Sequence, residues 1–166
     1  PALKDVDAAD RMIAAFAELL RAALSESGSA EVRVADDVVW LERYFELMQE
    51  RFRGQLETRI RIDAAADDAR IPRLLLQPLV ENAFEHGLRS GRGRIDVTIR
   101  VDAGRLRLAV EDDGVGMAQA FEEGVGLANV RSRLALLYPD RHTFRIGPRD
   151  AGGTCIEIDL PVQRDA

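Results

Sequence analysis

Four separated stretches carry residue types that could together hold a nucleotide. Residues 73–88 read RLLLQPLVENAFEHGL and place the amide side chain of Asn82 within an apolar stretch. EDDGVGM follows at 111–117, GVGLANVRSRL at 124–134 and GGT at 152–154. Each stretch is a weak signal by itself. In this order they describe a pocket made of an Asn-bearing helix, an Asp-Gly turn and a glycine loop that opens a second helix.

Asp112 begins the sequence Asp112-Asp113-Gly114-Val115-Gly116, where a predicted strand ends in a turn. Gly114 and Gly116 would let the backbone approach a flat ligand closely. A carboxylate held there can accept a hydrogen bond from an exocyclic amine such as that of adenine. An ordinary Asp-Gly turn is the alternative that the residues leave open.

Gly124 and Gly126 precede a helix whose first backbone amides have no partner within the helix. Free N–H groups and the helix dipole attract phosphate, and Arg131 and Arg133 would add positive charge. The loop is neither a Walker loop, because no Gly-Lys-Ser/Thr follows, nor a dinucleotide fingerprint, because the glycine spacing differs. A flexible loop with solvated arginines is the alternative.

Asn82 lies among apolar residues of a predicted helix, where an amide oxygen is unfavourable unless it has a partner. A magnesium ion shared with phosphates would supply that partner, because Mg²⁺ prefers oxygen ligands and keeps some of its waters. Glu81 would orient a water on this ion. A buried Asn82 bonded to the backbone is also open, and His86 suits either a phosphate contact or an ordinary helix end.

The composition restricts the functional classes to which this protein can belong. The 166 residues are 46% apolar, which suits one domain, or a small domain plus an attachment. A net charge of −6 argues against a general nucleic-acid binder. One cysteine and two histidines exclude a typical structural zinc site. No apolar run approaches the ~20 residues of a membrane span, so we expect no membrane segment.

The apolar periodicity predicts the elements that position these residues. Residues 3–24 and 36–53 have helical spacing, and Asp36 and Asp37 favour the N-terminus of the second helix. These helices would form a helical hairpin or dimer seam or pack on their own domain. A strand follows near 60–62. Pro72 suits the first turn of a helix that runs to about residue 86, with Gly87 as its C-terminal stop, and Pro78 would kink that helix or mark a later start.

The remaining pattern predicts antiparallel strands and one further helix. Residues 95–101 and 106–111 form a hairpin through Asp102-Ala103-Gly104. A helix covers 126–137, and strands at 143–147 and 154–160 close the fold. This order predicts an α+β fold in which one mixed sheet carries helices on one face.

With these residues assembled, the chain resembles the sensor histidine kinases of the LytS type, within the GHKL ATP-binding superfamily. LQPLVENAFEHG is similar to that family's N box, and residues 112–116 are similar to its G1 box. Gly124-Val125-Gly126-Leu127 with Asn129, Arg133 and Leu134 resembles the G2 box, and Gly152-Gly153-Thr154 resembles the last glycine motif. The two helices upstream resemble those that join the phospho-acceptor to the ATP domain.

The resemblance implies a fold and an activity. The fold is the two-layer ATP-binding sandwich of the Bergerat type, preceded by two N-terminal helices, with a helical segment at 1–55 and a catalytic domain at 56–166. The activity is transfer of the ATP γ-phosphoryl group to a histidine, for relay to a response regulator, with Mg²⁺ as cofactor. We expect a homodimeric full-length protein in the cytoplasm, without a nucleic-acid partner; an inner-membrane anchor is left open.

The resemblance also assigns roles to residues. Asn82 would coordinate Mg²⁺ and act in catalysis with Glu81, Asp112 would bind the adenine amine, and Thr154 would line the adenine side. The other nucleotide-binding residues that we expect are His86, Gly114, Gly116, Gly124, Gly126, Leu127, Asn129 and Arg133.

The chain departs from the family pattern at three points. It contains no PHFLFN-like acceptor segment, so the phosphorylated histidine would lie outside these residues. Pro78 stands where ATP-hydrolysing relatives carry a glutamate that acts as the general base. A proline cannot activate water, which weighs against an ATPase. Glu85 stands where many histidine kinases place a lysine near the phosphates. Two alternatives stay open: a nucleotide-sensing or dimerisation module without transfer, and a GHKL-type ATPase with Glu81 as its base.

Overall fold

The computed structural model of the protein describes residues 31–52, 55–88, 92–116 and 123–165. The helix predicted at 3–24 and most of the short lid after residue 116 lie outside these ranges. The chain divides into two compact units, residues 1–31 and 32–166. The second unit contains all of the candidate site residues.

The described helices and strands follow one another in a mixed order. In chain order they are β1 (Glu31–Arg33), α1 (Val34–Arg51), β2 (Leu56–Ile62), a 3₁₀ turn (Ala64–Ala66), β3 (Arg70–Pro72), α2 (Leu76–Asn82), a π-helical turn (Ala83–Gly87), β4 (Gly93–Asp102), β5 (Arg105–Asp112), α3 (Val125–Leu137), β6 (Thr143–Pro148) and β7 (Thr154–Pro161).

The main sheet is mixed, as the sequence predicts. Its five strands lie in the order β2-β4-β5-β7-β6, while β1 and β3 pair in a separate two-stranded sheet. β2 runs parallel to β4, and the other pairs are antiparallel. The predicted hairpin is confirmed, because Asp102 pairs with Arg105 across a turn in which Ala103 and Gly104 have φ of 47° and 75°.

One face of the sheet forms the core. Alternate residues of β4, β5 and β7 are buried, which is the period of two that a strand imposes when one of its faces packs on helices. They belong to the same hydrophobic cluster as residues of all three helices. The buried strand residues are Ile95, Val97, Ile99, Leu106, Leu108, Val110, Ile156, Ile158 and Leu160.

The helix α1 packs on its own domain. It covers the predicted helix at 36–53 to within two residues, and its stripe of Val38, Leu41, Phe45 and Met48 is buried in the shared core. Val34, at its first position, is fully buried as well. Packing therefore joins α1 to the sheet and its helices within one compact unit.

The helix α2 begins later than the prediction at Pro72. Pro72 ends β3, which pairs with β1, and the helix starts at Leu76. Pro78 lies in the first turn of α2, where its missing N–H needs no partner, so it marks the later start. After Asn82 the chain continues as the π-helical turn and stops at Gly87, as predicted.

Residues 163–165 return to the start of this region. The backbone N–H of Arg70 donates to the Gln163 carbonyl at 2.7 Å, and Arg164 Nη2 donates to the Ala65 carbonyl at 2.7 Å. Arg70 Nε also donates to Asp165 at 2.9 Å. The strand that precedes α2 is therefore tied to residues more than ninety positions away.

Candidate functional site

Asp112, the last residue of β5, carries a buried carboxylate. Only 3% of the residue is exposed, and its Oδ1 accepts the backbone N–H of Gly114 at 2.9 Å. Burial raises the pKa of Asp112, while hydrogen bonds from the backbone of Gly114 and Thr154 partly oppose that rise. The Asp-Gly turn predicted from the sequence is present, and it holds the carboxylate in one place.

Two glycines bring the end of the π-helical turn against this carboxylate. A Cβ added to Gly87 would lie 2.5 Å from Asp112 Oδ1, and one added to Gly114 would lie 1.9 Å from the Gly87 carbonyl oxygen. The Val115 N–H donates to that same oxygen at 3.1 Å. The stretch that contains Asn82 and the Asp-Gly stretch therefore meet at main-chain distance, which only residues without side chains permit.

The last glycine motif reaches the same place from β7. A Cβ on Gly153 would lie 1.9 Å from the Asp112 carbonyl oxygen, and Gly153 has a φ of 90°. Gly116, with a φ of 75°, lies beside Gly153, and Thr154 is 6% exposed. Arg149 Nη1 donates to the Asp112 carbonyl at 2.9 Å. Three of the four stretches therefore converge on one aspartate.

Asn82 lies at the end of α2, just before the π-helical turn, and is 7% exposed. Turns of this kind occur often at functional sites. A buried amide oxygen suits a magnesium ion that is shared with phosphates. No group of three or more His, Cys, Asp or Glu ligands occurs in the described part of the chain, and the predicted ion needs none, because phosphates would complete its shell. Glu81 Oε1 accepts a hydrogen bond from Gln77 Nε2 at 2.9 Å.

The glycine loop lies beside the Asn82 helix. Gly124 is the extended residue before α3, and Leu127 is buried in the core. A Cβ on Gly126 would contact Pro78 of α2 at 3.6 Å, and Asn129 is exposed. The fourth stretch is therefore positioned next to α2, and the start of its helix is open to solvent at Gly124.

The arginines of α3 have partners within the protein. Arg131 pairs with Glu123 at 2.9 Å and stacks over the Phe144 ring at 4.4 Å. Arg133 Nη2 donates to the Arg73 carbonyl at 3.0 Å. A role of Arg133 in nucleotide binding stays a prediction. So does that of His86, whose side chain is outside the described atoms.

Two residues with structural importance were not singled out from the sequence. Gly87 was assigned only as a helix stop, although it ends the motif that contains Asn82. Asp37 was assigned, with Asp36, to the N-terminus of α1, yet its carboxylate accepts the Leu74 N–H at 2.7 Å and is 4% exposed. An acidic pair at a helix start gives no sign that one member is buried.

Comparisons with known proteins agree on one family. Residues 67–164 match the model described as histidine kinase-, DNA gyrase B- and HSP90-like ATPase, and residues 2–56 match a histidine kinase model. The sensor histidine kinase YpdA of Escherichia coli is 31% identical over 171 residues, which cover 95% of this chain and 29% of that protein. The sensor protein LytS of Enterococcus faecalis is 23% identical over 177 residues, covering 98% and 30%.

A solved structure supports the fold. The histidine kinase ThkA in complex with the response regulator TrrA superposes with a TM-score of 0.61 at 16% identity, covering 92% of this chain and 49% of that one. The two-layer sandwich is thereby confirmed. The chain spans about a third of the length of the curated relatives. Among the described helices, none is long and apolar enough to cross a membrane.

Proposed function

Because the chain belongs to the family of histidine kinase-, DNA gyrase B- and HSP90-like ATPases, we propose that it is the ATP-binding catalytic part of a LytS-type sensor histidine kinase. The observation that carries the proposal is the convergence of three glycine-bearing stretches on Asp112, whose carboxylate is buried. The match of residues 2–56 to a histidine kinase model favours this activity over a clamp-type ATPase.

Asp112 is the group that would recognise adenine. The carboxylate already accepts backbone hydrogen bonds from Gly114 and Thr154, so its remaining lone pairs are those that would face the exocyclic amine. Guanine carries a carbonyl oxygen at the equivalent position, which a carboxylate would repel. The proposal therefore includes a preference for ATP over GTP.

The phosphates would lie between α2 and the start of α3. Asn82 would hold Mg²⁺ through its amide oxygen, and the bound ion would neutralise charge on the phosphates. Gly124 and Gly126 would present backbone N–H groups to the phosphate oxygens. Glu81, next to Asn82, would orient a water in this region. Leu127 is buried, so its role would be to support the loop.

The transfer itself needs positioning more than covalent chemistry from the protein. An imidazole nitrogen of the acceptor histidine would form a bond to the γ-phosphorus as the bond from that phosphorus to the leaving ADP oxygen breaks. The imidazole proton passes to solvent. The acceptor would lie outside these residues, and a response regulator would then take the phosphoryl group onto an aspartate. Both this partner and a homodimeric full-length protein belong to the proposal, as does a cytoplasmic location, where ATP is abundant.

A two-part experiment tests the proposal. Calorimetric titration of the chain with Mg-ATP, Mg-GTP and ATP in EDTA should show binding that prefers ATP and magnesium. Incubation with γ-labelled ATP and a separate fragment bearing a histidine acceptor segment should label that fragment. Binding without label under any condition would instead indicate a nucleotide-sensing module, and steady phosphate release that Glu81→Ala abolishes would indicate an ATPase.

The variant Asn82→Ala separates a magnesium ligand from a structural amide. Loss of the ion's ligand should weaken binding of Mg-ATP more than binding of ATP in EDTA, because only the first complex uses the amide. Equal losses in both titrations would contradict the assignment and indicate that Asn82 serves the core.

A further inference from the structure

Asp37 connects α1 to the helix that carries Asn82. It lies in the first turn of α1 and is 4% exposed. Its Oδ1 accepts the Leu74 N–H at 2.7 Å, and its Oδ2 accepts the Leu76 N–H at 3.3 Å. These amides belong to the segment that opens α2. A carboxylate on one helix therefore holds the beginning of another.

The peptide group between Arg73 and Leu74 is held from both sides. Its N–H donates to Asp37 on α1, and its carbonyl accepts Arg133 Nη2 on α3 at 3.0 Å. The positive charge of Arg133 also lowers the pKa of Asp37, in opposition to burial. One peptide group, two residues before α2, is thus bonded to both α1 and α3, and some of the candidate nucleotide-binding residues lie on α2 and α3.

The backbone at Leu74 is held in an unusual conformation. Its φ is 54°, in the left-handed region that a leucine rarely adopts because its Cβ approaches the following carbonyl. Conformations of this kind persist where the surroundings determine them. Leu74 is 5% exposed and its amide is bound by Asp37, so the segment before α2 has its conformation imposed by its contacts.

We propose that Asp37 is a positioning residue for the nucleotide site, which acts through the Arg73–Leu74 peptide group to set where α2 begins and where Asn82 lies. The proposal rests on the proposed function, since the position of Asn82 matters there because it would hold the ion on ATP. Asp37 lies in the region that matches the histidine kinase model, and Asn82 in the region that matches the ATPase model.

The length of α2 makes the connection direct. The helix has seven residues, so the rise from Leu76 to Asn82 is roughly 9 Å. A short helix transmits a displacement of its first turn to its last with little loss. A misplacement of about 1 Å at a reacting centre can reduce rates about 100-fold, so a small shift at Leu74 is enough to affect the site.

The experiment compares Asp37→Asn with Asp36→Asn in the full 166-residue chain. Asp36 is the neighbouring carboxylate of the same helix, but it is exposed and pairs with Arg33 at 3.2 Å. Two measurements are made at pH 7: hydrogen exchange of the backbone amides without nucleotide, and the Kd for Mg-ATP and for ATP in EDTA, corrected for the folded fraction.

The proposal predicts a local and magnesium-specific effect. In Asp37→Asn, the amides of residues 74–83 should exchange about 10-fold faster, and the Kd for Mg-ATP should rise about 5- to 20-fold, with a smaller change in EDTA. The amides of β5 and β7 should keep their protection. Asp36→Asn should change neither the exchange rates nor the Kd by more than about 2-fold.

Several results would overturn the proposal. Uniformly faster exchange across helix and sheet, with an unchanged Kd for the folded fraction, would make Asp37 an ordinary core residue. If Asp37→Asn does not fold, Asp37→Glu is measured instead, because it keeps the charge but displaces it by one methylene, and an unchanged Kd for Mg-ATP would then contradict positioning. If the unaltered chain binds no ATP, the proposed function fails, while the exchange measurement still decides whether Asp37 fixes α2.

Discussion

Asp37 and Asp112 are both buried carboxylates that accept backbone N–H groups, but different kinds of residue enclose them. The amides that reach Asp37 come from Leu74 and Leu76, whose side chains are themselves buried in the protein interior. Asp112 is approached by glycines, whose main chains pack against it without side chains. The two residues are 4% and 3% exposed, so burial alone does not distinguish them.

The difference shows how one residue type can serve either the fold or a ligand. Around Asp37, the hydrogen bonds come from the backbone of residues with buried side chains, so the carboxylate acts on the protein's own backbone. Around Asp112, no side chain of Gly87, Gly114 or Gly153 stands beside the carboxylate. Substitutions should therefore affect folding and helix position at Asp37, and nucleotide binding at Asp112.

The largest expected effect comes from removing α1, the helix that carries Asp37. A chain that begins at Leu56 loses five buried apolar side chains of α1: Val34, Val38, Leu41, Phe45 and Met48. At about 1.5–3 kcal/mol each, this loss rivals the whole stability of a domain, so this chain should not fold. A chain that begins at Val32 should show a cooperative thermal transition by circular dichroism. Equal transitions in both would mean that α1 is dispensable.

The next largest effect is expected from a substitution of Asp112. Asp112→Asn should weaken ATP binding by about 1.5–3 kcal/mol, the range for a hydrogen bond to a charged group, because one acceptor for the adenine amine is replaced by a donor. Thermal stability should change little, since burial already disfavours the charge and raises the pKa of Asp112. Calorimetric titration with ATP and GTP checks this. Unchanged binding of both nucleotides would leave Asp112 as a turn residue only.

Gly87→Ala tests whether glycine is required at the Asp112 contact. The added methyl would lie 2.5 Å from the carboxylate oxygen, so either the turn or the carboxylate must move, at a cost of about 1–3 kcal/mol. Urea unfolding and ATP titration measure the loss. Gly147→Ala is the matched control, because a methyl there meets nothing within 4 Å and its φ is ordinary. Similar losses in both variants would contradict the close packing.

An effect of similar size is a pH dependence specific to Asp37. Burial raises the pKa of Asp37 from 3.8 to about 6, so the folded protein holds this proton more tightly than the unfolded chain. Its contribution to stability is therefore greatest below the unfolded pKa and is lost as the pH rises through about 6. Between pH 4 and 7, urea unfolding of the unaltered chain should lose on the order of 1–3 kcal/mol relative to Asp37→Asn.

A neighbouring carboxylate provides a control of opposite sign. Arg33 lowers the pKa of Asp36, which is exposed, so the contribution of Asp36 is present at neutral pH and is lost as the pH falls. The difference between the unaltered chain and Asp36→Asn should therefore shrink towards acidic pH. A difference for Asp37→Asn that follows the same direction would contradict the assignment of Asp37 as a buried group with a raised pKa.

Local patterns in the sequence were sufficient for much of the fold. The hairpin at Asp102-Ala103-Gly104 has its turn signal within three residues, and Gly124 stands directly before α3. The order of the motifs, interpreted by a family resemblance, predicted one pocket made of the Asn82 helix, the Asp-Gly turn and the glycine loop before α3, but not the approach of Gly87 and Gly153 to Asp112. These features depend on neighbours in the chain or on a pattern that relatives share.

Features that depend on distant partners were not predicted. Pro72 suits both a helix start and a strand end. The strand that decides between them, β1, pairs with β3 and lies some forty residues upstream. The left-handed Leu74 and the buried Asp37 are joined by a hydrogen bond across 37 positions of the chain, and no local pattern marks either. The contact of Gly87 with Asp112 was missed for the same reason.

The return of residues 163–165 to β3 has a practical consequence. The carbonyl of Gln163 accepts the Arg70 N–H, and Asp165 binds the Arg70 side chain. Residues 163–165 are therefore bonded to a residue that precedes Leu74 closely in the sequence. A purification tag fused there would strain the contacts with the strand that leads into α2, and a protease that trims there would remove them. Reporter dyes attached at the same place would, for the same reason, respond to displacements of β3 and of the segment that leads into α2.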